Sequence, residues 1–290
     1  MTVVGIHDWR SYEETKDRFP IIGAVREFVV GVLRPDQDDL AEKIRGLAQP
    51  ALDAELIPWV SFKLRPDDVR AGRWDAALAS VATGVPGGVR LILWHEPEND
   101  MTATEFTQMF DHIAGRIRYE GGDHEMVYSA MTYQYARNIS DPEAWFPEKA
   151  DVYAADVYSG KSFPLPAILP DHPGFANWFN ARPDLNVPWS ISERGFITGT
   201  EFSVRADAIR REAQWLRELR DCRDYIYWNT PGGEGNQDIV LDAEYGEPAL
   251  ARALHRIADE YGSGYRDGYL RAINDGTAAL ARLVADFEQP

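Results

Sequence analysis

Residues 91 to 99 read LILWHEPEN, and this stretch gives the clearest indication of the fold. Four apolar residues are followed at once by polar residues and a proline. A run of this kind is typical of a strand in a parallel sheet, because such strands are covered on both faces and are apolar throughout. The stretch therefore predicts a buried strand whose carboxyl end presents Glu96 to a pocket formed by loops.

Seven further runs of β-branched and aromatic residues occur along the chain, separated by segments with helical periodicity. The eight predicted strands cover residues 3–7, 28–33, 57–62, 89–94, 126–130, 152–157, 189–192 and 225–228. An open doubly wound sheet would carry a glycine-rich turn after its first strand, and residues 8–11 contain no glycine. We therefore predict the α/β class and a (β/α)₈ TIM barrel over residues 1–261.

Composition narrows the range of partners. The chain carries 47 acidic and 30 basic residues, a net charge of −17 that disfavours nucleic acid as a partner. The amino-terminal residues lack the features of a signal peptide, and no run approaches the ~18 apolar residues of a membrane span. Cys222 is the only cysteine, so no intrachain disulfide can form. We expect a soluble protein with no membrane partner, and both a cytoplasmic and a virion-associated location stay open.

The carboxyl-terminal residues 262–290 are predicted to form a linker and a helix outside the barrel. Six residues within 270–287 are spaced alternately three and four apart, which is the pattern of a short heptad seam. They are Leu270, Ile273, Thr277, Leu280, Val284 and Phe287. Two interpretations stay open: the helix folds back onto the barrel, or it forms a homo-oligomer or docks the chain into a larger assembly.

A second carboxylate ends a predicted strand at residues 188–196, which read PWSISERGF. Glu193 follows Glu96 by 97 residues, which is about three βα units at the roughly 31-residue pace of a typical barrel. The two side chains are therefore expected to face each other across the barrel mouth, on strands four and seven. Cleavage of a glycosidic bond needs one carboxylic acid and one carboxylate in this arrangement. The pair predicts a carbohydrate substrate.

These strand ends resemble the motifs of the clan of retaining glycoside hydrolases with (β/α)₈ barrels. In that clan the acid/base ends strand four and the nucleophile ends strand seven. The resemblance thus implies that Glu96 is the acid/base and Glu193 the nucleophile in double displacement on a β-linked poly- or oligosaccharide. His95 before the acid resembles the β-mannanase-like branch, where the clan otherwise has asparagine. Arg194 stands where phenylalanine is common.

Five more positions are candidates for binding substrate or supporting the pair. The resemblance implies that Tyr158 hydrogen-bonds the nucleophile and that Trp228 is the floor on which a sugar ring stacks. From its place after strand two, Arg34 is expected to pair with Glu193. His7 and Asp8 end strand one, where they either hold sugar hydroxyls or cap the barrel.

No cofactor is expected, and a catalytic metal is disfavoured. Adjacent strand residues point to opposite faces, so His95 and Glu96 are not expected to converge on one ion. A second class of function also stays open. The carboxyl-terminal helix and the absence of a signal peptide are compatible with a non-catalytic carbohydrate-binding or structural barrel, such as a component of a bacteriophage tail.

Overall fold

The computed structural model describes residues 3–8, 10–131, 141–159, 188–196, 205, 208–210, 222–230 and 249–254. Eight strands run through these residues, and each pairs in parallel with its neighbours in chain order. The strands are β1 (Val3–Asp8), β2 (Ala24–Leu33), β3 (Ile57–Leu64), β4 (Arg90–Leu93), β5 (Glu125–Met131), β6 (Val152–Ser159), β7 (Trp189–Phe196) and β8 (Cys222–Asn229). Pairing of β8 with β1 closes the sheet into a barrel, which confirms the predicted fold class.

Helices separate the strands in the described part of the chain. They are α1 (Tyr12–Arg18), α2 (Leu40–Asp53), α3 (Pro66–Arg70), α4 (Asp75–Gly84) and α5 (Ala103–Tyr119). Residues 208–210 and 249–254 are also helical, and short 3₁₀ helices span Pro97–Asn99 and Pro142–Trp145. None of the helices in these ranges combines the length and apolar character needed to cross a bilayer.

Helix α5 shows how the sequence directs one of these elements. Thr102 caps its amino terminus, where the threonine hydroxyl accepts from the backbone N–H of Glu105 and the glutamate side chain accepts from Thr102. Apolar residues at helical spacing then form one buried stripe against the sheet. They are Phe106, Met109, Phe110, Ile113 and Ile117.

Two apolar clusters form the core of the part of the chain that the structure describes. The larger one lies between the strands and the helices. The smaller one comprises Ala24, Trp59, Ile92, Val127, Val152, Ala154 and Ile226, which alternate with the outward-facing residues of their strands. These side chains form the interior layer on which the residues of the barrel mouth rest.

A buried charge network closes the opposite end of the barrel, at the starts of β4, β5 and β8. Arg90 donates to Asp224 at 2.5 Å and to Glu125 at 2.7 Å, and its guanidinium lies 5.0 Å from the Trp59 ring centroid. The hydroxyl of Ser190 donates to the second oxygen of Asp224 at 2.9 Å. Removal of one partner from this network would be costly, since it would leave a buried charge without its counter-ion.

The predicted strands recur with two changes of boundary that matter for the site. Strand β2 begins at Ala24 rather than at residue 28, and β4 ends at Leu93, before Trp94. The predicted barrel limit at residue 261, the linker and helix at 262–290 and the heptad seam in 270–287 lie outside the described residues.

Candidate active site

The carboxyl ends of β4 and β7 bring Glu96 and Glu193 to the same mouth of the barrel. The negative charge of Glu193 acts on the pKa of Glu96, so the two carboxyl groups lie within electrostatic reach of each other. They sit among polar and aromatic side chains from β1, β2, β3, β6 and β8. This juxtaposition is the main feature of the candidate site.

A bulge in β7 determines where Glu193 points. Ala155 of β6 pairs with Ile191, but the next residue, Asp156, pairs with Glu193, so Ser192 is an extra residue in β7. Simple alternation would place Ser192 and Glu193 on opposite faces. Because the bulge re-aims the chain, both side chains make their hydrogen bonds inside the barrel.

Two donors hold the Glu193 carboxylate, one on each oxygen. Arg26 Nη2 donates to Oε1 at 3.0 Å, and the Tyr158 hydroxyl donates to Oε2 at 2.7 Å. Arg26 is fully buried, and the Glu193 side chain is nearly so. Both partners donate a hydrogen to the carboxylate, and the two bonds together fix its orientation. Burial, followed by the charge of Glu193, raises the pKa of Tyr158 well above its usual range, so the phenol keeps its proton.

Glu96 is held by an irregular backbone. Trp94 and Glu96 both adopt left-handed conformations, with φ of 54° and 50°, which cost roughly 1–3 kcal/mol each in non-glycine residues. The Glu96 N–H donates to the carbonyl of Ser129 at 3.0 Å, and the Trp94 N–H donates to Phe62 at 2.9 Å. Backbone hydrogen bonds to β3 on one side and β5 on the other thus hold this strained segment in place.

The electrostatics of Glu96 differ from those of an ordinary glutamate. Burial, followed by the negative charges of Glu193 and Glu98, raises the pKa of Glu96 to about 8. Glu98 itself accepts a hydrogen bond from the Tyr128 hydroxyl at 2.8 Å. A carboxyl group with this pKa is protonated at neutral pH and can donate a proton there.

The strained segment also brings His95 to the mouth, beside Glu96. Its Nδ1 lies 2.9 Å from the Ser61 hydroxyl, and its ring packs edge-on against Phe28. The expectation that His95 and Glu96 point to opposite faces is therefore wrong, because the left-handed residues break the alternation of the strand. Burial, followed by the charge of Arg26, lowers the pKa of His95 to about 2, so the imidazole is neutral.

Aromatic rings from β1, β2 and β8 line one wall of the mouth. The His7 ring lies 4.3 Å from the Trp228 ring centroid, and the edge of Phe28 meets both. His7 Nδ1 donates to the carbonyl oxygen of Arg26, and burial lowers the pKa of His7 to about 4. The neutral ring therefore keeps its proton on Nδ1 and has Nε2 as an acceptor.

Two of the residues predicted for the site make contacts other than the expected ones. Arg34 is exposed, and its backbone N–H donates to Asp38 at 2.8 Å. The expected pairing of Arg34 with Glu193 is wrong: Arg26 makes that ion pair, because the inner face of β2 begins four residues earlier than predicted. Asp8 forms an ion pair with Arg10 at 2.8 Å and accepts from Asn229, so its carboxylate is engaged at the barrel rim.

Sequence reasoning missed three residues of this mouth. Arg26 and Phe28 project inward from β2, and the Arg26 guanidinium lies 4.7 Å from the Phe28 ring centroid. Asp156 of β6 lies next to Glu193 as its partner in the strand ladder. The alternation of Ala24, Arg26 and Phe28 is a usable signal, because a spacing of two places all three side chains on one face of a strand. Within the described ranges, no group of three or more His, Cys, Asp or Glu side chains could hold a metal ion.

Comparison of sequences gives no relative: no protein-family model matches the chain, and no curated protein matches it. Comparison of folds gives several. Endoglucanase Cel5A from Thermotoga maritima matches at 12% identity with a TM-score of 0.59, over 87% of this chain and 96% of that one. A GH128 endo-β-1,3-glucanase from Sorangium cellulosum matches at 13% identity with a TM-score of 0.52, over 87% and 98% of the two chains.

A third match is XEG5A, a GH5 xyloglucan-specific endo-β-1,4-glucanase from a metagenomic library that was solved with cellotriose. It is 13% identical with a TM-score of 0.53, over 83% of this chain and 86% of that one. The fold of this chain thus resembles that of GH5 and GH128 glycoside hydrolases. At these identities the likeness concerns the barrel alone.

Proposed function

We propose that the chain is a retaining glycoside hydrolase that cleaves a β-linked poly- or oligosaccharide, with Glu96 as acid/base and Glu193 as nucleophile. One observation carries the proposal. Two carboxyl groups at the same mouth have different environments: a guanidinium and a phenol hydroxyl donate to Glu193, whereas burial and neighbouring negative charge raise the pKa of Glu96. A retaining glycosidase needs two carboxyl groups in different environments, one to act as acid and the other as nucleophile.

The reaction follows from these two protonation states. Glu193 attacks the anomeric carbon while Glu96 gives its proton to the leaving glycosidic oxygen, so that bond breaks and a glycosyl ester forms on Glu193. Glu96, now a carboxylate, takes a proton from water as the water attacks the same carbon. The ester bond to Glu193 breaks, and the sugar is released with its original β configuration. Both glutamates return to their starting states.

The aromatic wall supports a carbohydrate ligand. Trp228 offers a partly exposed ring at the end of β8, and His7 offers an acceptor nitrogen beside it. We assign Trp228 to stacking on a sugar face, and His7 and His95 to binding hydroxyl groups. His95 in place of asparagine supports a β-mannanase-like branch for this chain. A structure of Cel5A from Thermotoga maritima was solved with mannotriose, so a barrel of this shape can accept a mannan fragment.

The test is a panel of β-glucans, β-mannans and xyloglucan, screened with the wild type, Glu96→Gln, Glu193→Gln and the exposed-site control Glu148→Gln. Turnover of one glycan by the wild type and the control, with loss of at least a thousandfold in both site variants, is the expected result. Full activity in Glu193→Gln would remove the assignment. Binding of a glycan with no turnover by any form would favour a non-catalytic barrel.

A further inference from the structure

A third carboxyl group lies below the proposed catalytic pair, and the hydrolysis described above does not use it. Asp156, on β6, is 1% exposed and is the Cα partner of Glu193 in the strand ladder. Its Oδ1 accepts a hydrogen bond from the Ser192 hydroxyl at 2.7 Å. A fully buried aspartate this close to another carboxylate requires an electrostatic explanation.

A line of hydroxyl groups connects Asp156 to both glutamates. Ser192 and Ser129 are buried, and their hydroxyl oxygens are 2.9 Å apart. Because Ser192 gives its single hydroxyl hydrogen to Asp156, Ser129 is the donor in that contact. The Ser129 carbonyl accepts the N–H of Glu96, while Ser192 is the extra residue of the bulge that re-aims Glu193. The two serines therefore connect Asp156 to the backbone at Glu96 and at Glu193.

The charges that act on Asp156 come from several strands. Among the described residues, Glu193 of β7, Glu96 after β4 and Tyr158 of its own strand are acidic groups near it, and Arg26 of β2 is a nearby cation. Arg26 Nη2 is already bonded to Glu193. Burial, followed by the charge of Glu193, raises the pKa of Asp156 well above its usual range, although Arg26 and the Ser192 hydrogen bond lower it.

We propose that Asp156 is a protonated, uncharged carboxylic acid in the folded protein, and that through Ser192 and Ser129 it is a positioning residue for Glu193 and Glu96. A neutral acid provides a rigid acceptor below the pair without adding another negative charge beside Glu96. The positioning half of this inference rests on the proposed function, whereas the protonation half does not.

Protonation is tested by the pH dependence of unfolding in urea between pH 4 and 8, for the wild type, Asp156→Asn and the exposed control Asp36→Asn. A proton held only in the folded state makes stability fall as pH rises above the ordinary aspartate pKa of about 4. The folding equilibrium constant of the wild type should therefore fall, relative to Asp156→Asn, by up to tenfold per pH unit. Asp36→Asn should parallel the wild type. A constant difference, or one that changes in the opposite direction, would overturn the proposal.

A second measurement covers the case in which Asp156→Asn does not fold. Carbon-13 NMR of wild-type protein labelled at the aspartate carboxyl carbons should show a protonated aspartate resonance at pH 7. If every aspartate resonance lies in the ionised range at that pH, Asp156 is charged and the proposal is wrong.

Positioning is tested with Asp156→Ala, Asp156→Asn and Ser192→Ala on a glycan that the wild type cleaves. The alanine variants should lose at least tenfold in kcat with a smaller change in KM, and asparagine should restore much of the kcat lost in Asp156→Ala. The alkaline midpoint of the pH profile should not move in Asp156→Asn, because a neutral group replaces a neutral group. A shift of that midpoint to lower pH would contradict the inference. If no form cleaves any glycan, the proposed function fails while the unfolding experiment still decides the protonation state.

Discussion

Arg26 and Glu193 are 167 positions apart in the chain and form a buried ion pair at 3.0 Å inside the barrel. The guanidinium reaches the carboxylate from β2, whereas Glu193 lies within β7. This pair fixes one oxygen of the proposed nucleophile and supplies its compensating positive charge. The sequence analysis predicts Arg34 as the partner of Glu193 in this contact, and the structure has Arg26 instead.

Replacement of Arg26 should therefore reduce catalysis strongly. We expect Arg26→Ala to lower kcat/KM by roughly a hundredfold or more, because a fixed donor at a charged centre is removed. It should also destabilise the fold by about 3–5 kcal/mol, since Glu193 is left buried without its cation. Kinetics and urea unfolding measure the two effects. Arg34→Ala is the matched control, and an equal loss in that variant would contradict the assignment.

The Tyr158 hydroxyl should contribute through the other oxygen of Glu193. A hydrogen bond to a charged group contributes about 1.5–3 kcal/mol, so Tyr158→Phe should lower kcat/KM by roughly tenfold to a hundredfold. Tyr153→Phe on the same strand is a suitable control, because that hydroxyl donates to the Pro147 carbonyl on the other face of β6. The control should lose stability but keep its kcat. Unchanged kinetics in Tyr158→Phe would show that this hydrogen bond has no role in the reaction.

The pH profile should report the raised pKa of Glu96. Because the proposed acid must carry its proton, kcat/KM is expected to fall as pH rises through about 8. Glu98 contributes a negative charge that raises this pKa, so Glu98→Gln should move the alkaline limb to lower pH. If the alkaline limb of Glu98→Gln lies at the same pH as that of the wild type, the ionisation of Glu96 does not control it.

The same pKa has a consequence for stability. Glu96 binds its proton more tightly in the folded state than in the unfolded state, where its pKa is about 4.3. The free energy of unfolding should therefore decrease as pH rises from about 4.3 to about 8, and this slope should be smaller in Glu96→Gln. Urea unfolding of both proteins at several pH values gives the comparison. Equal slopes would show that the folded-state pKa of Glu96 is not raised.

The charge network at the other end of the barrel should affect stability alone. Asp224→Asn removes one of the two carboxylates that accept from the Arg90 guanidinium, while Glu125 remains, and is expected to cost about 1.5–3 kcal/mol. Its kcat at a temperature where it remains folded should match the wild type, because the network lies at the starts of the strands. A large loss of kcat in the folded variant would indicate coupling between the two ends.

The fold was predictable because eight apolar runs alternate with helical segments, and burial on both faces of parallel strands requires this pattern. Glu96 was predictable as a residue that follows β4, because it interrupts apolar sequence abruptly, whereas β7 runs past its predicted end at residue 192 to Phe196 and contains Glu193. Their contacts were less accessible. The alternation of side chains along β7 does not show that Ser192 is an extra residue. The left-handed backbone at Trp94 could not be predicted either, because the residue is not a glycine.

Arg26 shows a second reason why the contacts of the site could not be predicted from the sequence. A charged side chain in a strand is expected to be exposed, and only a partner on a distant strand makes its burial favourable. That partner, Glu193, is brought to it by barrel closure and not by local sequence. Asp156 was missed because its place below Glu193 depends on the shifted register between β6 and β7.

The most direct test of the account is covalent trapping of the intermediate with a mechanism-based glycoside inactivator matched to the responsive glycan. Mass spectrometry of the digested protein should place a single sugar adduct on the peptide that contains Glu193, in the wild type and in Glu148→Gln. Glu193→Gln should carry no adduct. An adduct on another carboxylate, or labelling that persists in Glu193→Gln, would contradict the claim that Glu193 is the nucleophile.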